Sequence, residues 1–212
     1  MVAEAAACGV ELDLLATREG VAIPQVTAER AVTLSERAFA SASQTVTPQG
    51  LLAVARHQEV SVGDARRVAR AGGWPLVVLD GIQDPGNVGA ICRSAAAAGA
   101  PALVVLGGGA DPYGPKAVRA SAGTVFRLAV ARGDWGELED LHGYGTAPAG
   151  GLPFQEADLA GAGLIALGAE THGLRDRHLP TVTIPMAPGV ESLNVAAAAA
   201  VLLFEIRRRL TA

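Results

Sequence analysis

The stretch from Thr183 to Arg209, TIPMAPGVESLNVAAAAAVLLFEIRRR, constrains the fold most, because it joins a strand end, a tight polar loop and a long helix with no slack. Pro185, Pro188 and Gly189 impose a turn: proline fixes φ and lacks a backbone donor, and glycine accepts positive φ. Ser192 or Asn194 then caps a helix that begins near Val195. Five alanines lead into Val201, Leu202, Leu203, Phe204 and Ile206. Arg207, Arg208 and Arg209 then put positive charge at the helix C-terminus. Backbone N–H groups at such a helix start, beside Ser192 and Asn194, form a natural polar site. A capped core helix explains the same residues, so the rest of the chain has to decide.

From Trp74 the chain alternates strand and helix. Strands are expected at Leu76 to Asp80, Ala102 to Leu106, Val125 to Ala129, Tyr144 to Pro148 and Gly163 to Gly168. Helices are expected at Val88 to Ala98, Pro115 to Ala122 and Trp135 to Leu141. Short apolar strands separated by helices predict an α/β domain whose mostly parallel sheet is covered on both faces. Ligands in such sheets sit beyond the C-terminal strand ends, where Asp80, Gly107, Gly168 and Pro185 lie.

Residues 1–57 read as a smaller α/β domain. It has an opening helix (VAEAAACGV), a strand from Glu11 to Thr17, a segment from Val21 to Val26, a capped helix from Ser35, a turn at Thr47 to Gly50 and a strand from Leu51 to Arg56. Periodicity weakens over 58–73, which reads as a linker before the domain 74–212. Its Arg66, Arg67 and Arg70 either face water on a surface helix or touch RNA.

Composition narrows the chemistry. Half of the 212 residues are hydrophobic, enough for a substantial core. The net charge of −4 gives no global nucleic-acid footprint, so RNA contacts must come from local arginines. Lys116 is the only lysine, which leaves arginine as the cation for planar phosphate contacts. Cys8 and Cys92 form no metal-spaced pair and are expected as free buried thiols in a reducing compartment, the cytoplasm. The run Val195 to Phe204 is too short for a bilayer, which takes about 20 residues, and the N-terminus lacks the pattern of a signal peptide. LVVLDGIQDPGNVGAICR has a strand, a glycine loop and a helix but no G-x-G-x-x-G, and neither a phosphate-loop G-K-[ST] nor a G-x-S-x-G elbow occurs. His57, His142, His172 and His178 share no ligand spacing, so no metal is expected.

Three loops stand out together. The first is Asp84-Pro85-Gly86-Asn87-Val88-Gly89-Ala90-Ile91-Cys92-Arg93. The second is Gly168-Ala169-Glu170-Thr171-His172-Gly173-Leu174. The third runs from Ile184-Pro185-Met186 through Ser192-Leu193-Asn194-Val195. In this order and spacing they resemble the motifs of the SpoU (TrmH-like) branch of the SPOUT class of S-adenosylmethionine-dependent RNA ribose 2′-O-methyltransferases. Asp111-Pro112-Tyr113 and Arg119-Ala120-Ser121-Ala122-Gly123 also resemble family segments. Thr171-His172 replaces a more usual small pair, and Pro188-Gly189 shifts the loop glycine by one position. The resemblance covers Trp74 to the C-terminus and extends loosely over Val2 to Arg56, which looks like the family's L30e-like RNA-binding domain, expected here in N-terminally truncated form.

The resemblance implies a C-terminal trefoil knot, a homodimer with its sites at the subunit interface, and S-adenosylmethionine as cofactor. It implies that Gly168, Ile184, Met186 and Leu193 hold the adenosyl group, largely through backbone. Arg93 is expected to bind a phosphate and stabilise the developing 2′-oxyanion, since a guanidinium is too poor a proton acceptor to be the base. Asn87 orders its loop or caps the helix; Glu170 orients the second loop, or binds RNA bases or Asn87. Ser192 and Asn194 fix the third loop, and Arg119 is a phosphate contact or a surface ion pair. Cys92 is a packing residue. Ribosomal RNA is the expected substrate and transfer RNA the alternative. Two rival readings are a non-catalytic RNA-binding or ribosome-assembly factor, and a nucleotide-binding enzyme of another α/β family, which predicts NAD or ATP binding.

Overall fold

A computed structural model describes residues 1–43, 48–56, 59–169, 173–174 and 179–212. The chain divides into two compact units, Met1–Gln58 and Glu59–Ala212. In the first unit, α1 (Val2–Ala7) precedes β1 (Glu11–Arg18), β2 (Arg30–Leu34), α2 (Glu36–Ala42) and β3 (Leu51–Arg56). The sheet order is β2-β1-β3, with β2 parallel and β3 antiparallel to β1. Leu12, Leu15, Ala16 and Phe39 form its buried centre. Ser35 caps α2 by accepting from the Ala38 N–H, as its position predicts. The parallel strand falls at Arg30–Leu34 and not at Val21 to Val26, where Pro24 interrupts any ladder.

The second unit contains α3 (Val62–Ala71), β4 (Leu76–Asp80), α4 (Pro85–Ala98), β5 (Ala102–Leu106), α5 (Pro115–Ala120), β6 (Ala129–Gly133), β7 (Gly143–Thr146), β8 (Leu152–Pro153), β9 (Leu164–Gly168), β10 (Thr181–Thr183) and α6 (Val195–Leu210). Its seven strands run in the order β6-β5-β4-β9-β7-β10-β8, and every pairing is parallel. β4, β5 and β9 are buried along their whole length, which is why each reads as an unbroken apolar run. Alternate residues serve opposite faces. Val77, Leu79, Leu103, Val105, Ile165 and Leu167 join the core under α4 and α6. Leu76, Val78, Ala102, Val104, Leu164 and Ala166 meet α3 on the other side.

Further sequence expectations are corrected. Much of the supposed linker 58–73 is α3, which buries Val62, Ala65 and Ala69 against the sheet. Ser61 caps it, accepting from the Asp64 N–H at 3.0 Å. Val125 to Arg127 belongs to a 3₁₀ turn, and the strand starts four residues later than expected, at Ala129. Trp135 to Leu141 contributes only a 3₁₀ turn, Trp135–Glu137. Cys92 is buried as expected but Cys8 is half-buried. Thr47, His57, His172 and His178 lie outside the described residues.

Candidate active site at the C-terminal strand ends

The parallel sheet places Asp80 and Gly168 side by side at the ends of β4 and β9. Asp80 is buried, and its Oδ2 accepts from the Trp135 indole N–H at 3.2 Å. A side chain is excluded at Gly168: a Cβ there would lie 2.3 Å from the Gly173 carbonyl carbon and 2.5 Å from the Leu174 nitrogen. Ala169 and Gly173 close this hairpin by exchanging backbone hydrogen bonds of 3.1 and 2.8 Å. Glu170 lies outside the described residues.

The first motif begins α4. Asp84 is its N-cap, accepting from the Gly86 N–H at 3.2 Å, with Pro85 in the first turn, where a missing donor costs nothing. Lys116 donates to Asp84 at 2.6 Å, and this bond, ahead of the Gly86 N–H, holds the Asp84 carboxyl below its usual range. Asp84 and Lys116 were not among the predicted site residues, although an Asp directly before a proline is a legible cap signal. Asn87 therefore does not cap the helix; its Oδ1 accepts from the Asn194 Nδ2 at 3.0 Å. Arg93, two turns along, is exposed and makes no hydrogen bond or ion pair with another described residue.

Gly89 sets how closely α5 approaches α4: a Cβ there would meet the Ala117 carbonyl oxygen at 2.2 Å. On α5, Arg119 is exposed and likewise unpaired among the described residues. Beyond it Ser121 is fully buried, donating to the Val118 carbonyl and accepting from the Gly123 N–H.

The third loop is built as its residues dictate. The Val190 N–H returns to the Ala187 carbonyl at 3.2 Å around Pro188 and Gly189, whose φ of +85° is what the third position of a type II turn needs. Of the two candidate caps, Asn194 is the one used: its Oδ1 accepts from Ala196 at 2.9 Å and Ala197 at 3.3 Å. Ser192 is exposed in the loop. Ile184 is half-buried against the core, Met186 is half-buried, and Leu193 is 40% exposed.

The α6 arginines serve mainly as clamps. Arg207 donates to the Ala98 carbonyl at the end of α4, and Arg209 to the carbonyls of Phe154, Gln155 and Ala157. Arg208 and Arg209 hold the Glu205 carboxyl down to about 2. Burial pushes the Cys92 thiol up to about 12, so it stays a neutral packing group.

Asn87 and Asn194 are thus brought together, with Arg93 on the same helix as Asn87. Arg66 and Arg67 are not part of this group. They lie on α3, on the opposite face of the sheet, where Arg66 pairs with Asp140 at 2.5 Å and Arg67 with Asp64 at 2.6 Å. A cleft of about 610 Å³ lined by His142, Gly143, Ala162 and Pro180 lies toward the N-terminal ends of β7, β9 and β10, away from the predicted residues.

An adenosyl group needs apolar faces and backbone donors and acceptors for its edge. Loop 184–193 has both. Val190 and Leu193 are exposed, and the Val190–Ala187 bond is the sole backbone hydrogen bond that its residues make among the described residues. The residues present therefore fit such a ligand.

The model of the SpoU rRNA Methylase family matches residues 75–204. The 23S rRNA (guanosine(2553)-2′-O)-methyltransferase RlmP of Bacillus subtilis is 34% identical over 184 residues, covering 82% of this chain and 71% of that protein. The chain spans 58% and 52% of two other relatives, uncharacterised and mitochondrial methyltransferases from a Mycobacterium and Danio rerio. The AdoMet complex of the SpoU methyltransferase AviRb from Streptomyces viridochromogenes superposes with a TM-score of 0.87 at 27% identity, over 100% of this chain and 88% of that one. An AdoMet-bound rRNA methyltransferase from Sinorhizobium meliloti gives a TM-score of 0.83 at 26% identity, over 99% and 84%.

Proposed function

The chain belongs to the SpoU rRNA Methylase family, and on that footing we propose that it methylates a ribose 2′-hydroxyl of ribosomal RNA with S-adenosylmethionine. The observation that carries the reading is the convergence of the first and third motifs through the Asn87–Asn194 bond, beside a loop whose backbone groups and apolar side chains fit an adenosyl ligand.

S-adenosylmethionine supplies a methyl group on a cationic sulfonium, ready for in-line displacement by an oxygen. Gly168, Ile184, Met186 and Leu193 hold its adenosyl part, Gly168 by allowing the close hairpin and the others by apolar contact and backbone. Arg93 binds a phosphate next to the target ribose and compensates charge developing on O2′. The 2′ proton leaves to an RNA phosphate or another acceptor, because the guanidinium cannot take it. Asn87, Ser192 and Asn194 fix the site's loops, and Glu170 orients the second. Arg119, on the helix packed against α4 and unpaired among the described residues, is the better further phosphate contact; Arg66 and Arg67 would first have to break ion pairs.

The reading extends to architecture. β10 lies beyond β7, yet α6 packs back against α4, so the chain after β10 has to cross back past β7 and β9. That crossing supports a trefoil knot, a rare exception among chain connections. Ala197, Val201 and Phe204 form an exposed stripe on α6, with Val201 40% and Phe204 48% exposed, and support a homodimer through that helix. The first unit, a small mixed sheet with two helices, is read as the L30e-like RNA-binding domain. The two free thiols fit the cytoplasm, and no described helix is long and apolar enough to cross a membrane.

The test is methyl transfer from labelled S-adenosylmethionine to unmodified ribosomal and transfer RNA transcripts. Transfer to ribosomal RNA is the expected result. Label only in transfer RNA would move the substrate assignment, and S-adenosylmethionine binding without transfer to either would favour the RNA-binding factor.

A further inference from the structure

Asn194 does two things with one amide. Its Oδ1 accepts from the backbone N–H groups of Ala196 and Ala197, which forces its NH₂ away from α6. That NH₂ donates to the Asn87 Oδ1 at 3.0 Å, across 107 residues of sequence. Asn87 lies in the first turn of α4, the helix that carries Arg93, and Asn194 ends the loop that fits the adenosyl group. At the far ends of the same helices Arg207 donates to the Ala98 carbonyl at 3.1 Å, so α4 and α6 run side by side in the same direction, tied at both ends.

The N-terminal tie differs from the C-terminal one in what it connects. Loop 184–193 has almost no internal backbone hydrogen bonds among its described residues, so its last residue is held by Asn194's own bonds. A ligand that orders the loop fixes Asn194, and Asn194 in turn fixes the first turn of α4.

We propose that Asn194 is a positioning residue that couples the two substrates: through its bond to Asn87, ordering of loop 184–194 by S-adenosylmethionine sets the first turn of α4, the helix that further along presents Arg93 to RNA. By linkage each substrate then raises the affinity for the other by the same factor. The proposal rests on the methyltransferase reading above. One neutral hydrogen bond can transmit about fivefold.

The test uses the full chain, S-adenosylhomocysteine as an unreactive probe and an unmodified 23S rRNA transcript. RNA affinity is measured by anisotropy with and without saturating S-adenosylhomocysteine, whose own binding is measured by calorimetry. Asn194→Ser keeps a helix cap but is too short to reach Asn87. Asn87→Ala removes the acceptor and leaves the cap untouched, whereas Asn87→Asp still accepts from the Asn194 NH₂. The ratio of affinities with and without probe cancels any effect of the new charge on RNA binding itself.

The expected result is a ratio of about five in the wild type and in Asn87→Asp, falling to about one in Asn194→Ser and Asn87→Ala, with melting temperatures confirming that all four are folded. A ratio preserved in Asn87→Ala and Asn194→Ser would overturn the proposal, as would a wild-type ratio of one when both ligands bind. A wild type that does not bind S-adenosylhomocysteine at all would overturn the underlying reading, and the coupling with it.

Discussion

Replacing Gly168 by alanine puts the second motif to a direct physical test. The added methyl would sit 2.3 Å from the Gly173 carbonyl carbon and 2.5 Å from the Leu174 nitrogen, both backbone atoms that no rotamer change can move aside. Ordinary contact begins at 3.4 Å, so the hairpin has to retreat by roughly 1 Å. That retreat strains the two Ala169–Gly173 backbone bonds, each worth about 1 kcal/mol. Overpacking a tight site costs about 1–3 kcal/mol, and for a chain of this size that lowers Tm by roughly 2–10 °C. A misplacement of about 1 Å in a positioning loop costs up to a hundredfold in function. Gly168→Ala is therefore expected to melt lower and to bind S-adenosylmethionine at least tenfold more weakly by calorimetry. A variant with Tm within 1 °C and affinity within twofold of wild type would show that the hairpin yields freely and that Gly168 does not shape the cofactor site.

Other perturbations separate the remaining roles. Arg93→Ala should lower kcat by about a hundredfold or more, the size of a lost transition-state charge contact, with S-adenosylmethionine affinity unchanged; a loss confined to KM for RNA would reduce Arg93 to a binding contact. Glu205 offers a pH test. Hydrogen bonds from Arg208 and then Arg209 depress its folded pKa to about 2 from the ordinary 4.5, so its contribution to stability is present above 4.5 and disappears as pH falls through about 2. Glu205→Gln should lower stability near neutrality and flatten the profile in that window, as read by chemical denaturation across pH. Phe204→Glu places charge in the exposed α6 stripe and should shift the protein toward monomer in analytical ultracentrifugation, with little loss of Tm because the side chain is already 48% exposed.

Much of the second unit was legible because buried parallel strands write continuous apolar runs. The apolar runs Leu76–Asp80 and Ala102–Leu106 coincide with β4 and β5 to the residue. α6 was bounded by its cap and its arginines, as Asn194 and Arg207 to Arg209 bear out. Less legible were elements whose signal is weak on its own. In α3 only Val62, Ala65 and Ala69 are buried, so three apolar contacts among arginines looked like a linker; the Ser61-x-x-Asp64 cap was the available signal. β2 carries Arg30 at an exposed edge and has no alternation strong enough to mark it. The site was legible as motifs but not as contacts. Nothing local in the sequence says that Asn87 meets Asn194, or that Gly89 lies against Ala117, because both depend on how distant helices pack.

The most direct test of the central claim is the chemical position of the transferred methyl group. Ribosomal RNA labelled by the wild-type protein with methyl-labelled S-adenosylmethionine should be hydrolysed in alkali and the products resolved by mass spectrometry. The account predicts label in an alkali-resistant dinucleotide carrying a 2′-O-methyl ribose, and its disappearance when Arg93→Ala replaces the wild type. Label on a base, in a fully alkali-labile nucleotide, would contradict it.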